Sequence, residues 1–223
     1  PKITVHTKLV IFVYMMLIFD GFFFFFIFEF DNVLIHQGIA GKLWASLFQS
    51  ITTRTAGFST VDIASLKDVT LFMFIFLMFI GASPGSTGGG IKTSTFAVLI
   101  LAVINMIRGR ENLEIFNSTI PKKIVYKAVA IVVVGAFLIC FGTTLLLITQ
   151  KDSLINLLFE ATSAFGTVGL STGTTFKLTG IGKVIIAVLI YIGRIGPLTL
   201  AYAVGRYRKK LKREFPEARV MVG

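Results

Sequence analysis

Two short polar strings carry the residue types from which a cation site can be built: Thr55-Ala56-Gly57-Phe58-Ser59-Thr60 and Thr167-Val168-Gly169-Leu170-Ser171-Thr172. Glycine reaches backbone angles that other residues resist, so carbonyl oxygens around Gly57 and Gly169 can be turned one way. Several such loops around an axis replace the water shell of a dehydrated cation with carbonyl oxygens. One threonine-x-glycine is a weak signal. Two, each behind a half-length apolar segment, are a stronger one. At an offset of 112 residues Thr55, Ser59 and Thr60 fall on Thr167, Ser171 and Thr172. The same offset places Ile80-Gly81 on Ile192-Gly193 and Thr87 on Thr199. One shift that aligns two separate regions indicates duplication.

A third stretch, Gly81-Ala82-Ser83-Pro84-Gly85-Ser86-Thr87-Gly88-Gly89-Gly90-Ile91-Lys92-Thr93, has six glycines or prolines within its first ten residues. No helix survives that density. It interrupts an apolar span and reads as a mobile polar loop at or below mid-membrane, a feature of transporters. Such a loop can obstruct the path beneath a filter. In the repeat register Arg194 stands opposite Ala82, a buried cation near the centre of the last span. There it serves as an electrostatic barrier, anchors loop carbonyls, or pairs with Asp20. Two enzymatic readings compete. Residues 81–85 fit the G-x-S-x-G elbow of serine hydrolases, but the only histidines, His6 and His36, flank the first span and are poorly placed as bases for Ser83. A phosphate loop needs G-x-x-x-x-G-K-[ST], and here Ile91 separates Gly90 from Lys92.

The elements that must position these strings follow from apolar length. Residues 9–30 make a full span, since about twenty helical residues cross about 30 Å of hydrocarbon. Within it Asp20 must face protein or water, as a structural hydrogen-bonding group or a functional one. Glu29 and Asp31 close the span as a solvated rim or as a cation-concentrating one. Residues 43–53 are too short to span. A helix of about eleven residues reaches about 16 Å, half the membrane, and its C-terminal end favours a cation. Arg54 complements that dipole or braces the loop. Residues 71–80 and about 95–107 are the two halves of the broken second span. Residues 124–148 form a third span read as scaffold, with Cys140 as inert packing. Residues 154–165 are the second half-length helix, and Glu160 in it braces the loop or adds negative potential. Residues 181–204 form the fourth span.

Of 223 residues, 55% are hydrophobic and 15% charged, with mean hydropathy +0.85. Soluble domains carry about 25% charge, so a membrane-embedded chain is the default. Net charge is +11. Lys2, Lys8, Arg108, Arg110, Lys122, Lys123 and Lys127 flank three span ends, and Arg206, Arg208, Lys209, Lys210, Lys212 and Arg213 follow the fourth. Alternating spans put all four flanks on one side, which is the cytoplasmic side. The last cluster follows a span directly, so anionic lipid or a cytoplasmic partner suits it better than nucleic acid. A single cysteine excludes an intrachain disulfide, and no histidine–cysteine grouping offers a metal site. The chain opens on Pro1, so its true start is expected upstream.

Residues 55–60, 83–93, 159–171 and 193–199 together resemble the Trk/Ktr/HKT superfamily of potassium transporters, and most of all the membrane subunit of bacterial Ktr systems. The likeness extends over nearly the whole chain. It implies an all-α membrane protein with four membrane–pore loop–membrane repeats around one pore. This chain resembles the third repeat (residues 1–112) and the fourth (113–205), followed by a basic cytoplasmic tail (206–223). The N-terminal half would be absent here. Carried over, Thr55, Ala56, Gly57, Phe58, Thr167, Val168, Gly169 and Leu170 line the K+ filter. Gly81, Ser83, Pro84, Gly85, Ser86, Thr87, Gly88, Gly89, Gly90 and Lys92 form an intramembrane gating loop with Arg194 as gate residue. The resemblance also implies a homodimer in the bacterial cell membrane, with cytoplasmic termini and a cytoplasmic ring of RCK subunits. ATP and ADP would act on that ring, and the K+ flux would often be Na+-dependent. Rival readings are a less selective Na+/K+ channel, a non-conducting scaffold or receptor on a pore fold, and an intramembrane serine hydrolase.

Overall fold

A computed structural model describes residues 4–109, 113–115 and 118–196. Helix α1 (Val5–Glu29) starts behind Thr4, whose hydroxyl accepts from the Thr7 backbone N–H. It and α5 (Lys122–Thr149) are long and apolar enough to cross a membrane. Between them come α2 (Ile39–Thr52), a 3-10 turn at Ile63–Ser65, α3 (Asp68–Phe79) and α4 (Thr93–Ile107). After α5 come α6 (Leu154–Gly166), the short α7 (Thr174–Lys177) and α8 (Gly180–Ile195). The polar connection between α4 and α5 holds a small antiparallel pair, β1 (Leu113–Ile115) and β2 (Ser118–Ile120), which apolar periodicity does not announce.

Helix α6 is the hub. Leu157 and every residue from 159 to 166 are buried, against α3, α5 and α8. The run includes Glu160, Thr162 and Ser163, so this helix is enclosed by protein rather than lipid. The core of the first half joins α1 to α3, with Phe25 stacked on Phe74 at 5.7 Å. Of the run Phe22–Phe26 only Phe25 is fully buried, while Phe23 and Phe24 are exposed, in keeping with a helix that meets lipid on one face. Phe79 stacks on Phe165 at 6.4 Å and ties the end of α3 to the end of α6. Outward faces of α1, α5 and α8 carry Phe12, Phe19, Val133, Phe137, Val184 and Val188 in the open, an apolar belt suited to hydrocarbon.

Three expectations change. Glu29 is not a solvated rim but fully buried: it accepts from Asn32 Nδ2 (2.6 Å), the Lys67 backbone N–H (3.0 Å) and the Thr70 hydroxyl. A carboxylate among the first N–H groups of α3 meets the positive end of that helix. Cys140 is exposed on α5 rather than packed inside. The fourth span, expected over 181–204, has its helix close at Ile195, with Gly196 at φ 92°. Gly196 precedes Pro197, and the residue before proline is pushed out of helical angles. Residues 197–223, the basic tail included, lie outside the described residues.

Candidate cation-conducting site

The half-length helices are α2, with 14 residues, and α6, with 13. Each runs into one of the polar strings, and the same bracing recurs in both. A hydroxyl near the helix end holds the rising limb: Thr52 Oγ1 donates to Phe58 O, and Ser163 Oγ donates to Leu170 O at 2.6 Å. About one turn earlier a longer side chain holds the next residues. Gln49 Nε2 donates to Ser59 Oγ (3.0 Å) and Thr60 Oγ1 (3.2 Å). Glu160 accepts from Ser171 Oγ (2.5 Å) and the Thr172 N–H (3.0 Å) at Oε1, and from Thr175 Oγ1 (2.5 Å) at Oε2. Glu160 is 3% exposed. A buried carboxylate ringed by donors is a brace, the role expected when it accepts backbone N–H groups.

Gln49, Thr52 and Ser163 escape a reading by register, although each is a polar residue on an apolar half-helix. The strings align at an offset of 112 residues, but Gln49 with Glu160 and Thr52 with Ser163 align at 111. The second copy has one more residue between its bracing helix and its glycine. Both copies then bend alike. Thr55 (φ 69°) and Thr167 (φ 52°) are left-handed, and Gly57 (φ 77°) and Gly169 (φ 97°) follow two residues on. Positive φ at a β-branched residue is strained and persists only where the surroundings dictate it. The bracing bonds are those surroundings.

The two strings meet. A Cβ built on Gly57 lies 2.3 Å from Val168 O and 3.3 Å from Gly169 Cα, closer than any side chain tolerates. Residues 55–58 and 167–170 therefore share one locus. Their exposure differs: Val168 and Leu170 are buried in the core between the halves, while Phe58 is 72% exposed.

The glycine loop lies against both strings. A parallel bridge between Ile80 and Ile91 closes its neck, and the Ile91 N–H donates to Phe79 O at 3.1 Å. At the far side the Gly89 N–H donates to Thr167 Oγ1 at 2.7 Å, and a Cβ on Gly88 would meet Thr55 Oγ1 at 2.7 Å. The loop thus abuts the first residue of each string. Residues 81, 82, 89 and 90 are buried, 83, 84 and 88 half-buried, and 85–87 exposed. Lys92 ties the loop to itself, donating from Nζ to Gly88 O (2.6 Å) and Ser86 O (3.1 Å).

Arg194 is exposed on α8 rather than buried, and its charge reaches Lys92. Among the described residues it makes no ion pair with Asp20 and no hydrogen bond to a loop carbonyl; Lys92 performs the carbonyl anchoring. Asp20, half-buried on α1, lies within electrostatic reach of a different cation, Arg54. Arg54 is 7% exposed, and its Nη1 donates to Leu77 O (2.9 Å) and Ile80 O (2.6 Å) at the end of α3. Ser83 has neither histidine as a hydrogen-bond partner, and His6 and His36 are exposed.

Paired half-length helices that end in braced, touching glycine loops, beside helices long and apolar enough to cross a membrane, define a helical membrane protein. Residues 3–209 match the TrkH family of cation transport proteins. The chain belongs to that family, which is one of transporters and not of enzymes. It is 45% identical over 194 residues to the Ktr system potassium uptake protein D of Bacillus subtilis, covering 84% of this chain and 43% of that protein. To the Ktr system potassium uptake protein B of the same organism it is 41% identical over 222 residues, 99% of this chain and 50% of that one. The potassium/sodium uptake protein NtpJ of Enterococcus hirae is 36% identical over 229 residues, 100% and 51% of the two chains. The chain spans about half the length of the curated relatives it matches. The crystal structure of the potassium transporter TrkH from Vibrio parahaemolyticus superposes with a TM-score of 0.73 at 21% identity, over 91% of this chain and 45% of that one. That likeness speaks to the fold.

Proposed function

We propose that this chain forms half of a potassium pore. Residues 1–112 and 113–205 are two membrane–pore loop–membrane repeats, and 206–223 is a basic cytoplasmic tail that meets anionic lipid. The N-terminal half of the same protein supplies the other two repeats. Backbone carbonyls of residues 55–58 and 167–170 coordinate dehydrated K+, and residues 81–92 with Arg194 obstruct the path below. The flux is Na+-dependent, and the protein works in the bacterial cell membrane as a homodimer on a cytoplasmic RCK ring that binds ATP and ADP. The names of the relatives, potassium uptake and potassium/sodium uptake, support the ion.

One observation carries the reading: the strings touch at Gly57 and Gly169 with matching left-handed turns and matching braces. A second supports the half-ring. Helix α2, though a pore helix in this reading, leaves Trp44, Phe48 and Ile51 exposed, a face that a neighbouring repeat would cover. The test is ion discrimination in the intact protein. Gly57→Ala and Gly169→Ala are expected to lower the K+-over-Na+ uptake ratio, and shortening residues 85–90 to raise flux without altering it. Discrimination that survives both glycine changes removes the filter. A native ratio near one favours the alternative, an unselective Na+/K+ path.

A further inference from the structure

Helix α3 ends inside the protein, and the last carbonyls of any helix need donors from elsewhere. Here the accounting is nearly complete. Phe76 O accepts from the Ile80 N–H and Phe79 O from the Ile91 N–H. Leu77 O is taken by Arg54 Nη1, which also takes Ile80 O, the first carbonyl beyond the helix. Ile80 is also the residue whose bridge to Ile91 closes the neck of the glycine loop. Arg54 itself sits between α2 and Thr55, the first residue of the first string. One buried guanidinium thus joins a pore loop to the hinge of the loop beneath it. Its Nε and Nη2 are buried with no hydrogen-bond partner. Asp20 and Tyr14 on α1 act on the charge at longer range.

We infer that Arg54 is a positioning residue that fastens the neck of the glycine loop to the first pore loop, so that the two move as one body. Any effect on flux rests on the reading of residues 81–92 as the obstruction; the fastening does not. A planar guanidinium reaches two carbonyls from one nitrogen while staying charged, and an ammonium on a flexible stem holds such a pair less well. The duplicate gives the contrast: at the two offsets the second copy has Phe165 or Gly166 where the first has Arg54. The cation is present only in the first copy.

The test reads loop position directly. In the intact protein in native membranes, with Cys140 and any other native cysteine replaced by serine, Ser83→Cys places a thiol at a half-buried loop residue. Its reaction rate with a charged methanethiosulfonate reagent reports how often the loop leaves its seat. Arg54→Met is expected to raise that rate about tenfold, and Arg54→Lys, which keeps one donor group near the carbonyls, about threefold. Glu29→Gln, which disturbs the opposite end of α3, is expected to leave it unchanged. A wild-type rate in Arg54→Lys overturns the inference, even where Arg54→Met fails to fold. A rise in Glu29→Gln equal to that in Arg54→Met also overturns it, since general loosening then accounts for the change. Faster labelling with unchanged K+ flux upholds the fastening and removes the loop as the obstruction.

Discussion

Glu160→Ala tests the bracing of the second string. The carboxylate accepts from the Ser171 hydroxyl, the Thr172 N–H and the Thr175 hydroxyl, and is 3% exposed. Truncation strands these donors together with the Thr172 hydroxyl, which reaches Oε1 at 3.4 Å. The hydroxyls can rotate to other acceptors, but the Thr172 N–H is fixed by the backbone. A buried donor left unmade costs about 1–3 kcal/mol, so the net loss is about 2–4 kcal/mol. Glu160→Gln keeps one acceptor oxygen for Thr172 at a cost of about 1 kcal/mol. Each 1.4 kcal/mol is about a tenfold change in an equilibrium. Glu160→Ala is therefore expected to lower the K+-over-Na+ uptake ratio about tenfold or more and to lower the melting temperature in detergent. Glu160→Gln is expected to stay within about fivefold of the parent. Equal ratios and equal melting temperatures in Glu160→Ala and the parent refute the bracing. A loss as large in the glutamine variant shows that the charge matters in itself, beyond its hydrogen bonds.

Gly193→Ala is expected to destabilise by more than about 2 kcal/mol, because its Cβ would fall 1.9 Å from the backbone oxygen of Phe165; Gly180→Ala, with nothing within 4 Å, is the neutral control in the same thermal-unfolding assay. Asp152, at the outer end of α5, has its carboxyl held below the usual range, first by the Thr174 hydroxyl and then by Asn156 and the Ser153 N–H. A depressed folded-state value means stability present above the unfolded carboxylate value of about 4 and lost as pH falls through the folded one. The melting-temperature gap between the parent and Asp152→Asn is expected to be constant from neutral pH to about pH 4 and to shrink below it; a gap that widens on acidification contradicts the assignment.

Apolar length carried most of the architecture. The first and third spans, both half-length helices and the break at residues 81–92 lie where run length and glycine density place them, because a helix that buries apolar surface has few alternatives at these lengths. The bracing was illegible for a geometric reason. Gln49, Thr52, Glu160 and Ser163 act on residues six to fifteen positions away in sequence, and the loop between sets whether they arrive. Register alone pairs Gln49 with Ala161. Glu29 was misjudged because an acidic residue at a span end looks the same to sequence whether water or a neighbouring helix N-terminus receives it. Arg194 shows the converse. Its sequence depth suggested burial, but the side chain stands open.

The two copies are unlike in a way that bears on how a gate can work. Their braces and left-handed threonines match, so the strings are held alike. The difference lies just before them, in the single residue by which the helices are offset. In the first copy the chain leaves α2 through Thr53 and Arg54, and the arginine turns to the end of α3. In the second it leaves α6 through Phe165 and Gly166; Phe165 stacks on Phe79, and a Cβ on Gly166 would lie 2.8 Å from Met78 O. Both pore helices therefore converge on the last turn of α3, one through hydrogen bonds and one through close packing. That turn is where the second span breaks. A loop with its neck fixed by both half-length helices, and with Gly88 and Gly89 against Thr55 and Thr167, cannot shift without disturbing one of the two strings or its support. On the proposed reading, in which the strings hold K+ and the loop obstructs the path, ion occupancy and loop position are one equilibrium, and a ligand that favours either state moves both.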